Sequence, residues 1–199
     1  MLKRPLAWVA GRLESVGVRA DHLTWLGFAI GLSAMLWLAM GWFKWALLCI
    51  AVNRLFDGLD GALARLTQPT DRGAFLDIAL DFLFYASVPL GFALADPAHN
   101  ALPAAVLLFS FVGTGSSFLA FAVLAGKRGL SSTAFQGKGF YYLGGLTEST
   151  ETVAVFVLMC WWPDGFGLLA YGFSALCALT IVTRLAAGVR AFGGDASGG

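Results

Sequence analysis

Apolar residues gather in six runs, Leu23–Met40, Trp45–Leu66, Gly73–Ala95, Leu102–Ala125, Phe140–Trp161 and Phe166–Val189. Each is close to the roughly 20 residues that a helix needs to cross hydrocarbon. The pattern predicts an all-α integral membrane protein with six transmembrane helices in one domain, residues 23–189. Ahead of it, Leu2, Leu6, Val9, Leu13 and Val16 recur at steps of four and three, with Lys3, Arg4 and Arg12 left to face water. Residues 1–22 are therefore expected to form an amphipathic helix on the cytoplasmic leaflet, the alternative being a flexible tail. Asp21 ahead of Thr24 marks the start of the first span. Residues 190–199, small and polar after Phe192, are expected to be a short flexible cytoplasmic tail.

Composition strengthens the membrane assignment. Of 199 residues 58% are hydrophobic, mean hydropathy is +0.76, and soluble domains hold about 45–50% apolar residues. Charge adds an orientation. Arg65, Arg72, Lys127, Arg128, Lys138, Arg190 and the N-terminal cations share one side, whereas only Lys44 lies in a connection on the other. Positive-inside bias then predicts a multi-pass protein with both termini in the cytoplasm. The net charge of +1 and the absence of a basic run argue against nucleic acid. Cys49, Cys160 and Cys177 fall inside spans without metal or redox spacing, and no cleavable signal peptide is expected before a first apolar run that begins at residue 23.

Against that background, Asp57, Asp60, Asp77 and Asp81 are costly. A carboxylate near the middle of a membrane helix costs about 2.5–3.5 kcal/mol on insertion scales. Asp57, Asp60, Gly61 and Ala64 share one face of a helix, Asp77 and Asp81 share a face of the next, and Thr67–Arg72 supplies a turn between them. An antiparallel hairpin sets Asp57 level with Asp81, Asp60 with Asp77, and Ala64 with Gly73. Facing hard oxygen ligands suit Mg²⁺ or Mn²⁺, and the small residues leave room for close helices or a ligand. Intramembrane carboxylates also mark pumps, so a cation- or proton-coupled transporter is the competing reading.

These residues compose D-x2-D-G-x2-A-R-x7-G-x3-D-x3-D from Asp57 to Asp81. The pattern resembles the signature of the CDP-alcohol phosphotransferase family at all eight positions, and the six-span layout with an amphipathic leader is similar to it over nearly the whole chain. The resemblance implies transfer of a substituted phosphate from a CDP-linked donor, CDP-diacylglycerol for a membrane-buried site, to an alcohol acceptor with release of CMP. It implies that Asp57, Asp60, Asp77 and Asp81 ligate two divalent ions, Mg²⁺ or Mn²⁺, that Asp81 is also the catalytic base, and that Gly61, Ala64, Arg65 and Gly73 lie along the CDP site. It further implies phospholipid biosynthesis, contact with membrane lipids and a homodimer. One departure stands out: many relatives place Pro-Asn before Leu-Thr, where this chain has Ala20-Asp21-His22-Leu23-Thr24.

Other polar positions leave alternatives open. Arg54 lies deeper than Asp57 and needs a partner, either Glu148 or Glu151 at similar depth in the fifth span or an acceptor. Arg184, Lys138 and Arg72, with Lys127 and Arg128 beside them, are candidates to bind a phosphorylated acceptor or are cytoplasmic anchors. Gly113-Thr-Gly-Ser-Ser and Gly144-Gly145 read as seams for close helix packing. His22 and His99 read as surface residues.

Overall fold

The computed structural model describes residues 3–128, 147 and 149–193, with backbone alone for residues 3 and 4. Seven α-helices occur among them: α1 Lys3–Ser15, α2 Ala20–Ala39, α3 Phe43–Leu66, α4 Asp71–Ala95, α5 Pro97–Lys127, α6 Ser149–Trp161 and α7 Phe166–Phe192. No strand is found among the described residues. Four segments are long and apolar enough to cross a membrane, namely α2, α4, α5 and Pro163–Phe192, while α6 is a shorter apolar helix. The 24 residues of α3 reach about 36 Å, but Lys44, Arg54, Asp57, Asp60 and Arg65 interrupt its apolar character. Residues 140–146 and 148 of the expected fifth span, Gly144-Gly145 and Glu148 among them, lie outside the described residues, as does Lys138 ahead of it.

The chain forms two compact units, Met1–Ala101 and Leu102–Gly199. In the first, α2 packs on both α3 and α4, and α1 packs on α3. The α1 stripe is the reason for the last contact. Ala10 is buried with Leu23, Leu59, Ala62 and Leu63, and Leu6, Val9 and Leu13 lie against them. Val16 does not continue the stripe as its spacing suggested. The helix stops at Ser15, Gly17 turns the backbone at φ +78°, and Val16 is left 73% exposed.

Close approach of α2 to its neighbours depends on two glycines. A Cβ on Gly27 would fall 2.6 Å from the Phe56 Cβ, and one on Gly31 would fall 2.7 Å from the Asn53 amide nitrogen and 2.8 Å from the Phe84 ring. Their bare backbones let Asn53 and Phe84 sit buried at the centre of the unit. The turn from α3 into α4 is closed by Thr70, whose Oγ1 accepts a hydrogen bond from the Gly73 N–H at 3.0 Å. This N-cap satisfies one of the unpaired donors of the first turn of α4.

The second unit has an aromatic centre, with the Phe111 ring 6.2 Å from Phe156 and 6.3 Å from Phe173. Gly113 lets α5 meet Ile181 of α7, as the small-residue segment suggested: a Cβ there would lie 2.5 Å from the Ile181 Cδ1. Helix α7 runs through Arg190 as far as Phe192. At the head of α5, the Asp96 carboxylate lies 2.7 Å from the His99 ring, and that hydrogen bond holds the Asp96 carboxyl below the usual carboxylate range.

Candidate metal and nucleotide site

Helical spacing brings Asp57 and Asp60 to the side of α3 that faces Asp77 of α4. One carboxylate oxygen from each of the three lies within 4.8 Å of the other two. Three hard anionic oxygens at that spacing are a donor set for a divalent cation of the Mg²⁺ or Mn²⁺ type, which takes carboxylates together with water and phosphate. A cation there would also relieve the repulsion among the three charges. Asp60 is buried, and its Oδ2 accepts a hydrogen bond from the Thr24 hydroxyl at 2.6 Å. Thr24 opens the first span, and nothing in its spacing announced a contact across 36 residues; the signal was only a hydroxyl in an apolar helix.

Asp81 is placed differently. Its Oδ1 accepts from the Arg54 Nη2 at 2.6 Å, and the Tyr85 hydroxyl approaches its Oδ2 at 3.5 Å. Arg54 also lies 3.6 Å from Asp57. The charge need that the sequence assigned to Glu148 or Glu151 is thus met inside the aspartate hairpin itself. Asn53 completes the arrangement, accepting from Nε and Nη2 of Arg54 at 2.8 and 2.6 Å while its own amide donates to the Gly27 carbonyl at 2.9 Å.

Two spaces share the carboxylates in their linings. An open cavity of about 670 Å³ is lined by Thr24, Gly61, Ala64, Arg65, Arg72 and Gly73 among others, and includes Asp57, Asp60 and Asp77. A recess of about 20 Å³ shares those three aspartates and continues to Asn53, Arg54 and Asp81. The recess has room for a single water-sized species; the cavity has the size of a ligand pocket. All four residues expected along a nucleotide, Gly61, Ala64, Arg65 and Gly73, therefore border one space. A Cβ on Gly61 would lie 3.4 Å from the Arg65 guanidinium, so the glycine leaves that cation free of a side chain above it. Arg72 reaches Asp21 at 3.4 Å along the same lining. This contact gives the departing Ala-Asp segment a role that its sequence did not disclose.

Of the acceptor candidates, Lys138 lies outside the described residues. Arg184 belongs to the second unit, where it is buried, donates to the Thr114 carbonyl at 2.9 Å and sits over the Phe118 ring.

Residues 18–187 match the model of the CDP-alcohol phosphatidyltransferase domain. The chain belongs to that family. As a member it is an enzyme, a transferase of substituted phosphate groups. It is 56% identical to inner membrane protein YnjF of Escherichia coli over 176 residues, 88% of this chain and 85% of that protein. It is 38% identical to archaetidylinositol phosphate synthase of Pyrococcus horikoshii over 94 residues, 47% of this chain and half of that one. Two crystal structures of phosphatidylinositol phosphate synthase from Mycobacterium tuberculosis share the fold at 22% identity. The one with CDP-DAG bound gives a TM-score of 0.69 and coverage of 94% of each chain. The one in complex with manganese and citrate gives 0.68, with 92% of this chain and 88% of that one covered.

Proposed function

We propose that this family member transfers a phosphatidyl group from CDP-diacylglycerol to an alcohol acceptor and releases CMP, in phospholipid biosynthesis at a bacterial inner membrane. The observation that carries the reading is the convergence of Asp57, Asp60 and Asp77, which line both a water-sized recess and the 670 Å³ cavity. Family membership supports transfer and gives no support to a transporter. That one structural neighbour was solved with CDP-DAG and another with manganese supports the donor and a divalent metal. Six membrane spans preceded by an interfacial α1, both termini in the cytoplasm and a homodimer complete the proposal. The exposed Trp8 of α1, with Arg12 stacked on its ring, supports placement at a lipid surface.

In this reading Asp57, Asp60 and Asp77 would hold divalent metal, and Asp81 would be the fourth ligand to a pair of ions. Divalent ions held there would supply positive charge to offset the donor pyrophosphate. Gly61, Ala64, Arg65 and Gly73 line the space for the CDP moiety, with Arg65 supplying a cation. The acceptor oxygen forms a bond to the phosphatidyl phosphorus as the bond to CMP breaks, and the acceptor's proton passes to Asp81. Arg184, Lys138 and Arg72 are the candidates for an acceptor phosphate.

Purified protein incubated with Mg²⁺, CDP-diacylglycerol and separate acceptors (glycerol 3-phosphate, inositol phosphate, serine, inositol) tests this through CMP release and identification of the lipid product. Asp81→Asn should fold normally and lose turnover. Normal turnover by that variant would sink the base assignment.

A further inference from the structure

Arg54 of α3 is the one cation among the described residues of the first unit that reaches Asp81, and it does so through an assembly too specific for a charge merely seeking neutralisation. Contacts to four residues are fixed at once. Nη2 donates to Asp81 Oδ1 at 2.6 Å, Nε and Nη2 share Asn53 Oδ1, Nη1 donates to the Tyr85 hydroxyl at 3.1 Å, and Nη1 faces Asp57 at 3.6 Å. The plane lies over the Phe84 ring, 4.6 Å from its centroid. Phe84 is fully buried, and Asn53 is anchored to the Gly27 carbonyl. An arginine so held has little freedom to follow a moving partner.

The consequence falls on Asp81. Its carboxylate has two oxygens, and Arg54 occupies one of them. Oδ2, met among the described residues by the long 3.5 Å approach of Tyr85 alone, is the oxygen left to take a proton or a ligand. We propose that Arg54 is a positioning residue for the transfer: it fixes Asp81 by Oδ1 and presents Oδ2 to the reacting hydroxyl, with Asn53 and Tyr85 holding the guanidinium in register. The fork of the guanidinium matters as well as its charge, because a lysine ammonium is a point donor that cannot span Asn53, Asp81 and Tyr85 together. This inference rests on the proposed transfer reaction and adds a residue that the eight-position pattern does not contain.

Arg54→Met and Arg54→Lys test it with two readouts, CMP release from CDP-diacylglycerol and Mn²⁺ binding followed by electron paramagnetic resonance without substrate. A positioned base contributes roughly 10²- to 10⁴-fold. Arg54→Met is expected to lower kcat about 100-fold while KM for the donor stays within about threefold and Mn²⁺ binds as tightly as in the parent or more tightly, since a competing cation has gone. Arg54→Lys is expected to keep Mn²⁺ binding and lose about tenfold in kcat. Loss of Mn²⁺ binding in step with kcat would assign Arg54 to holding the carboxylates together and overturn the proposal, as would a kcat within about threefold of the parent in either variant. If Arg54→Met fails to fold, Arg54→Lys decides by the same two criteria. A parent enzyme that releases no CMP from any donor fails the reaction itself; a parent that turns over beside an equally active Arg54 variant fails this inference alone.

Discussion

Replacing Thr24 by Val removes one hydroxyl and changes the shape of the side chain little, so it isolates the 2.6 Å hydrogen bond to Asp60. The Thr24 hydroxyl has a single proton and two acceptors in reach, Asp60 Oδ2 and the Ala20 carbonyl at 3.1 Å. The shorter distance and the charge of the carboxylate direct that proton to Asp60. A hydrogen bond to a charged group contributes about 1.5–3 kcal/mol, and at 1.4 kcal/mol per decade this is roughly 10- to 150-fold in an equilibrium constant. Residues that orient metal ligands from behind typically contribute about 10- to 100-fold in metal affinity or activity, which agrees. Asp60 is 6% exposed, so water offers little replacement for the lost donor. Thr24→Val should therefore raise the Mg²⁺ concentration for half-maximal CMP release about 10- to 100-fold, with kcat at saturating Mg²⁺ within about threefold of the parent, and Thr24→Ser should restore the original midpoint. A Mg²⁺ titration of CMP release in detergent measures this. An unchanged midpoint in Thr24→Val would refute the claim that Thr24 orients a metal ligand.

Gly31→Ala sets a Cβ 2.7 Å from the Asn53 amide, and overpacking of this kind costs about 1–3 kcal/mol; thermal denaturation in detergent should show a lower midpoint, and kcat should fall with it because Asn53 anchors Arg54. Arg72→Ala should leave the denaturation midpoint within about 2 °C, since its side chain is 70% exposed and an exposed pair contributes under about 1 kcal/mol, yet raise KM for a phosphorylated acceptor about three- to tenfold through its place on the cavity wall. Chelation should abolish CMP release and added Mg²⁺ should restore it; Mg²⁺ at about 100 times its Kd should also stabilise the fold by about 2.7 kcal/mol, readable as a rise in the denaturation midpoint.

The aspartate pattern was the most legible part of the chain because helical periodicity is a strong constraint. Spacing of three and four placed Asp57 with Asp60, depth counting set Asp60 against Asp77, and the structure brings these three together. Ala64 and Gly73 were legible for the same reason and border the cavity. Arg54 is legible as a charge in need of a partner, and counting depth points to Glu148 or Glu151 of the fifth span rather than to Asp81. Depth alone cannot tell which helix stands beside which. Thr24 and Asn53 each make one hydrogen bond to another helix or its backbone, across 36 and 26 residues, and neither leaves a periodic trace in the sequence. Val16 failed for a local reason, since an apolar stripe counts only while the helix lasts and Gly17 ends it.

The central claim is that the carboxylates of α3 and α4 hold divalent metal for transfer from a CDP-linked lipid. Purified enzyme, radiolabelled CDP-diacylglycerol and the acceptor panel, with and without Mg²⁺, test it most directly when Asp60→Asn is run beside the parent. The account predicts CMP and one new labelled lipid from the parent only when Mg²⁺ is present, and neither from the variant. Folded parent protein that releases no CMP with Mg²⁺, or an Asp60→Asn variant that matches it in turnover, would contradict the account.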